Sequence, residues 1–175
     1  MSRVIKTLGI VLKKRQLLRS DLQFTIFTED LGKINVYAKG VRKITSKRLP
    51  NLQTGNLISI QINQYNNGFY LQNVQLISAL SSIKQQSKQV EQLYLLFFIL
   101  DRILPEAQKE NEVFKETIFF IIKFSKEKNF SNNALFDTLK KTINILGYST
   151  EVDDFNSLLT EIEQIISENI PRVNI

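Results

Sequence analysis

The sequence predicts an α+β protein, with an N-terminal five-stranded β-barrel over residues 1–80 and an all-α helical bundle over residues 81–175. Apolar residues alternate with polar ones at a period of two through the first half. From about Ser87 they recur instead at three- and four-residue steps, the spacing of a helix face. The charge divides at the same place. Residues 1–80 hold twelve Lys and Arg against three acids, a net of +9, whereas residues 81–175 hold eleven bases and fourteen acids, a net of −3, within an overall +6. A Lys- and Asn-rich coding bias raises the overall pI but does not concentrate the charge in one half.

Five strands are legible. Val4 to Lys14 is long and rich in β-branched residues. Leu22 to Thr28 sets Leu22, Phe24 and Ile26 against Gln23, Thr25 and Phe27, so Phe27 is expected on the outer face. Gly32 to Lys39 sets Ile34, Val36 and Ala38 against Lys33, Asn35, Tyr37 and Lys39. Asn56 to Tyr65 places Ile58, Ile60 and Ile62 on one face, and Gly68 to Ile77 is the fifth strand. Asp30-Leu31-Gly32 reads as a tight turn, and Asn66-Asn67-Gly68 supplies the positive-φ residues of a hairpin. Five strands with a longer connection after the third match the five-stranded Greek-key barrel called the OB-fold; a sandwich or an SH3-like barrel would read similarly.

The helices follow. Val90, Leu93, Tyr94, Phe97, Leu100 and Leu104 form one stripe, stopped by Pro105. Asn111 to about Ser125 carries Phe114, Ile118, Ile121 and Ile122. Both are apolar nearly all round, which predicts the centre of the bundle. A third helix starts at Asn132 or Asn133, carries Leu135, Phe136, Leu139, Ile143 and Leu146, and ends at Gly147. Asp153 or Asp154 caps a fourth with Phe155, Leu158, Ile162, Ile165 and Ile166, ending before Pro171. The domain boundary falls near residues 80–86, and no internal repeat is visible.

The chain has no cysteine and no histidine. Disulfides, thiolate nucleophiles, imidazole bases and Cys/His zinc sites are therefore excluded within it. No P-loop, GxGxxG or GxSxG pattern occurs, so neither catalysis nor a cofactor is expected. Asp21, Glu29 and Asp30 are the acids of the basic half; they could in principle hold Mg²⁺, but turn roles are the ordinary reading. Ile5 to Leu12 is interrupted by Lys6 and Thr7 and is unlike a secretory leader. The longest apolar run, Leu93 to Leu100, is short of the ~20 residues a bilayer needs, so a cytoplasmic protein is expected.

A domain at +9 suits a polyanion, of which the nucleic-acid backbone is the commonest. Lys39-Gly40-Val41-Arg42-Lys43-Ile44-Thr45-Ser46-Lys47-Arg48 is the densest cluster, five of its ten residues being cationic. Its charges can contact phosphates while backbone N–H groups and the Ser46 hydroxyl add donors; a merely solvated loop is the alternative. Lys33, Tyr37 and Lys39 share the outer face of the third strand, where an aromatic between cations can stack a base. Tyr37 has the alternative of packing beneath the 39–55 loop. Lys13, Lys14, Arg15 and Arg19 form a second cluster at the first hairpin, where loops of an OB-fold frame its binding surface.

Several of these segments together resemble the RecO family of bacterial recombination mediators. The likeness runs through Gly9-Ile10-Val11-Leu12, Ser20-Asp21, Phe27-Thr28-Glu29-Asp30-Leu31-Gly32-Lys33, Ala38-Lys39-Gly40-Val41-Arg42-Lys43 and Ser46-Lys47-Arg48-Leu49. It continues in Leu104-Pro105-Glu106, Val113-Phe114 and Leu146-Gly147-Tyr148, covering roughly residues 1–148. The resemblance implies an N-terminal OB-fold followed by a helical domain. It also implies binding of single- and double-stranded DNA, strand annealing, and partnership with RecR to load RecA onto strands coated by single-stranded-DNA-binding protein. The family's basic surface maps onto Lys33 and the Lys39–Arg48 loop. Members usually carry Glu where Arg19 stands, and many have a zinc-binding cysteine module after the Leu-Gly-Tyr stretch, which this shorter sequence lacks. Transfer of the family's helical-domain partner contacts is correspondingly not implied. Two other readings stand beside the mediator: an adaptor docking acidic protein partners through the basic loop and bundle, and a metal-dependent nuclease using Asp21, Glu29 and Asp30.

Overall fold

The barrel grows directly from the alternation of side chains. The computed structural model describes residues 3–18, 20–43, 46–66, 68–79, 87–126 and 132–171. Strands β1 (Arg3–Gln16), β2 (Leu22–Thr28), β3 (Gly32–Ala38), β4 (Leu57–Tyr65) and β5 (Gly68–Ser78) close in the order β1-β2-β3-β5-β4. A short 3-10 turn at Leu49–Leu52 lies between β3 and β4. Every neighbouring pair is antiparallel except β3 and β5, which run parallel through Val36↔Phe69 and Tyr37↔Tyr70. Closure in this order makes the domain an OB-fold and removes the sandwich alternative.

Val11, Phe24, Ile26, Ile34, Val36, Ile58, Ile60 and Ile62 fill the interior, each fully buried. Burial of a side chain of this kind stabilises the fold by ~1.5–3 kcal/mol. Three register shifts adjust the alternation. One lies in β1 between Val11 and Lys13; the other two lie in the β4–β5 ladder, one at the Leu57/Ile58 step and one facing the Gln61/Ile62 step, where Leu71 and Asn73 pair in succession and Gln72 is the extra residue. Phe27 is a correction to the simple alternation: it is completely buried and presents no ring on the surface. In the β2–β3 turn the Thr28 hydroxyl donates to the Gly32 carbonyl at 2.8 Å and accepts from the Leu31 N–H at 3.1 Å. Asn66 supplies a positive φ of 39° in the β4–β5 turn, while Asn67 lies outside the described residues.

The chain forms two compact units, Met1–Leu80 with Leu104–Glu110, and Ser81–Ile103 with Asn111–Ile175. Periodicity alone assigns 104–110 to the helical domain; the structure returns it to the barrel. The reason is an open edge. β5 pairs with β3 only at Val36 and Tyr37, so β5 does not reach the first half of β3 on that side. The 104–110 strap fills the gap. The Ala107 N–H donates to the Lys33 carbonyl at 2.8 Å, and Glu106 forms a parallel bridge with Lys33. Asn35 Nδ2 donates to Glu106 Oε1 at 2.7 Å, and Lys109 Nζ lies 3.6 Å from Asp30 Oδ1.

The second unit comprises α1 (Ser87–Ile103), α2 (Asn111–Lys126), α3 (Asn132–Ile145) and α4 (Phe155–Ile166). α2 packs on α3, α1 on α4, and α3 touches both α1 and α4. Leu93, Leu96, Phe97, Leu100, Phe114, Phe120, Ile121, Leu135, Leu139, Leu158 and Ile162 are buried. Tyr94, Phe119 and Ile122 are exposed, so α1 and α2 are not enclosed on all sides as their all-round apolarity predicts. A helix paired chiefly with one neighbour covers one stripe, and the opposite face stays wet. The last turn of α3 closes through the Tyr148 N–H on the Ile143 carbonyl at 3.0 Å, with Gly147 at φ +89°. Among the described residues no helix is long and apolar enough to cross a membrane.

Asp154 is the N-cap of α4, its Oδ1 accepting from the Ser157 N–H at 2.9 Å. Hydrogen bonds from Ser157, its side chain first and its backbone second, hold the Asp154 carboxyl below the ordinary carboxylate value. A depressed folded-state pKa contributes stability that is present above the unfolded value and lost as pH falls through the folded one. Protection of the Ser157 amide from hydrogen exchange should therefore drop on acidification below about pH 4. Asp154→Asn, which keeps a capping oxygen without a titrating group, should remove that pH dependence. An unchanged acid profile in Asp154→Asn would show that the cap does not titrate there.

Candidate nucleic-acid interface

The strand register lines up a row of side chains around the outside of the barrel. Arg15 pairs with Gln23, Gln23 with Tyr37, Tyr37 with Tyr70 and Tyr70 with Asn63, running in order over β1, β2, β3, β5 and β4. Directly paired residues share a face, and so do residues two apart on one strand. Lys13 and Lys39 accordingly stand on the same face as Arg15 and Tyr37. The β1 bulge lets this happen: it keeps Val11 inside yet puts Lys13 opposite outward-facing Thr25.

At the centre of the row lies an open cleft of about 460 Å³, lined by Tyr37, Lys39, Tyr65, Tyr70, Leu71 and Gln72. The Tyr37 and Tyr70 rings sit 5.6 Å apart with a 31° tilt, and Tyr65 meets Tyr70 edge-on at 5.7 Å. Both geometries are favourable for aromatic pairs. Lys39 Nζ lies 5.4 Å from the Tyr70 ring centroid, within cation–π range. Asn63 Nδ2 donates to the Tyr65 hydroxyl at 3.2 Å and orients that ring. None of the six lining residues is acidic.

The two basic loops are stitched together beside this cleft. Asp21 Oδ1 accepts from the Gly40 N–H at 2.7 Å, and the Ser20 carbonyl accepts from the Arg42 N–H at 3.2 Å. These bonds tie the β1–β2 loop, which follows Lys13, Lys14 and Arg15, to the start of the β3–β4 loop with Arg42 and Lys43. Cations gathered on one side of the barrel repel each other, a cost that a bound polyanion relieves.

Lys13, Lys14, Arg15, Lys39, Arg42, Lys43 and Lys47 are exposed. Tyr37 lines the cleft rather than packing beneath the 39–55 loop. Arg19 lies outside the described residues, as do Ile44 and Thr45. Lys33 is half-buried where the strap pairs with β3, so the continuous Lys33–Asn35–Tyr37–Lys39 track is open only at its Tyr37–Lys39 end. Ser46 is a turn residue: its N–H donates to the Lys43 carbonyl at 2.8 Å and its hydroxyl accepts from the Arg48 N–H at 3.4 Å. Arg48 acts as a clamp, with Nη2 donating to the Lys39 carbonyl at 2.9 Å and Nη1 to the Leu71 carbonyl at 3.4 Å. It thus holds the β3–β4 loop against β5, beneath the cleft.

Tyr65 and Tyr70 are missing from the residues that sequence patterning selects. Their signal is present, since two of the five tyrosines flank the Asn66-Asn67-Gly68 hairpin, but their neighbour across the sheet is not readable from local spacing. Leu18, 88% exposed in the β1–β2 loop, is a further apolar residue on this side that charge counting passes over. Asp21 and Asp30 both serve as acceptors in the barrel, Asp30 Oδ2 accepting a hydrogen bond from the Thr7 hydroxyl at 2.8 Å. Among the described residues no group of three or more His, Cys, Asp or Glu is placed to hold a metal ion.

The closed five-stranded barrel, with its cationic, tyrosine-lined outer face, places the domain in the OB-fold class. Residues 1–82 match the family described as recombination protein O N terminal. Most of the chain is similar to proteins named DNA repair protein RecO. That of Caldanaerobacter subterraneus subsp. tengcongensis is 28% identical over 156 residues, covering 86% of this chain and 61% of the relative. That of Clostridium acetobutylicum is 29% identical over 125 residues, covering 69% and 49%. That of Thermoanaerobacter sp. is 25% identical over 159 residues, covering 87% and 61%. These matches liken the N-terminal 82 residues to the N-terminal domain of the RecO family and most of the chain to proteins of that name. It spans between about half and three-fifths of the length of these relatives.

Proposed function

We propose that this protein is a DNA-binding recombination and repair mediator that acts without catalysis. The barrel grips DNA through the Lys13–Arg15 and Lys39–Lys47 clusters, and the helical unit supplies surface for protein partners. As a mediator it anneals complementary strands and assists loading of a RecA-type recombinase onto strands covered by single-stranded-DNA-binding protein, in concert with RecR. The observation that carries the reading is the hydrogen-bonded stitch between the two basic loops, Asp21 to Gly40 and Ser20 to Arg42, beside an acid-free cleft. That arrangement concentrates positive charge on one face, as phosphate binding requires. The similarity to proteins named for DNA repair supports the same reading.

Fluorescence anisotropy of a labelled oligonucleotide tests it. Binding should be clear at low salt and weaken by ~100-fold between about 50 and 200 mM salt, as expected when about five phosphate contacts release counterions. No binding at low salt would reject the reading. Binding that ignores salt would move the contact away from the cationic face.

A further inference from the structure

We infer that the cleft between Tyr37, Tyr65 and Tyr70 is a stacking pocket for an unpaired nucleobase, so this surface favours single-stranded over duplex nucleic acid. The inference rests on the DNA-binding reading and adds the state of the strand that the site selects. Three aromatic rings converge from three strands, with centroid separations of 5.6 and 5.7 Å, around a cleft of about 460 Å³. Its volume lies in the range of small-ligand sites, roughly 300–1,000 Å³. Tyr65 is 47% exposed and stands at the open side, so its ring has area to offer, while Tyr70 backs it. Lys39, over Tyr70, supplies a cation for the phosphate of the nucleotide whose base enters. Aromatic walls, one cation and no acid together describe a receptor for a flat anionic ligand.

A base inside a duplex has both faces covered by its neighbours and its edge paired. Such a base cannot enter the cleft, and duplex DNA engages only the exposed loop cations through its phosphates. An unpaired base has a free face, and stacking on an aromatic side chain adds affinity with little regard to sequence. The loops therefore bind either form, and the tyrosines separate them.

The full chain is titrated at fixed salt with three labelled probes of equal length: oligothymidylate, a strand made of abasic sites, and a duplex. Oligothymidylate should bind roughly tenfold more tightly than the abasic strand, which has the same charge but no bases. Intrinsic emission gives a second readout, because the protein has five tyrosines and no tryptophan, and three of the tyrosines line the cleft. Oligothymidylate should quench that emission and the abasic strand should not. Tyr65→Leu should remove most of the preference for bases while leaving duplex affinity unchanged, and Tyr65→Phe, which keeps the ring, should retain the preference. Equal affinity for oligothymidylate and the abasic strand would overturn the inference and leave the phosphate-binding reading standing. An equal loss for all three probes in Tyr65→Leu would overturn it as well. Failure of every probe to bind would sink both readings.

Discussion

Reversing Arg42, Lys43 and Lys47 together to Glu should weaken DNA binding by ~100-fold or more at about 50 mM salt, with the loss shared by all sequences. The three side chains are exposed, and only the Arg42 backbone N–H takes part in the stitch to Ser20, so the barrel keeps its interior and its loop contacts. Each removed phosphate contact lowers the slope of log affinity against log salt by about 1, and each new carboxylate adds repulsion. The slope should therefore flatten along with the loss of affinity. A variant that binds weakly with an undiminished slope would mean that these residues act on folding or on a partner. Thermal melting of the variant beside the parent separates the two cases.

Gly32→Ala should lower the stability of the barrel by roughly 3 kcal/mol. Gly32 has φ +68°, a conformation that costs an L-residue about 1–2 kcal/mol. A Cβ there would also lie 1.7 Å from the Gln108 carbonyl oxygen, a backbone atom that cannot rotate away. The strap would have to leave β3, and with it the Ala107–Lys33 backbone bond and the Asn35–Glu106 contact. Gly147→Ala is the internal control: its φ is +89°, but no atom lies within 4 Å of a new Cβ. That variant should lose only the backbone component, about 1 kcal/mol. Urea denaturation followed by circular dichroism reads both. Equal losses at the two positions would mean that the strap is not held against β3 in solution.

Gly32 and the strap also account for part of the family resemblance in physical terms. The Phe27–Lys33 segment forms the β2–β3 turn, and the Leu104-Pro105-Glu106 segment packs against its far side through Glu106. Two stretches that look like separate motifs along the chain form one contact in space. Lys33, grouped with the DNA track by charge, belongs at least in its backbone to that contact. Charge counting cannot reveal this, because it registers a side chain and not the carbonyl of the same residue.

Local patterning accounts for the five strands, the four helices and the concentration of cations in the first half. These are local quantities: a period of two or of three to four, a glycine after a stripe, a charge per segment. Two of the six residues that line the candidate cleft are legible in the same way, since Tyr37 and Lys39 share the outer face of one strand. Long-range strand pairing selects the residues that complete the cleft. Tyr70 meets Tyr37 through a parallel pairing of strands far apart in sequence, and Tyr65 joins through the β4–β5 hairpin. The closed barrel likewise decided the burial of Phe27 outside the interior cluster, the capture of 104–110 by an incompletely paired β3, and the use of Arg48 as a clamp on two carbonyls. A residue's type and spacing set the direction of its side chain; long-range pairing sets what it meets there.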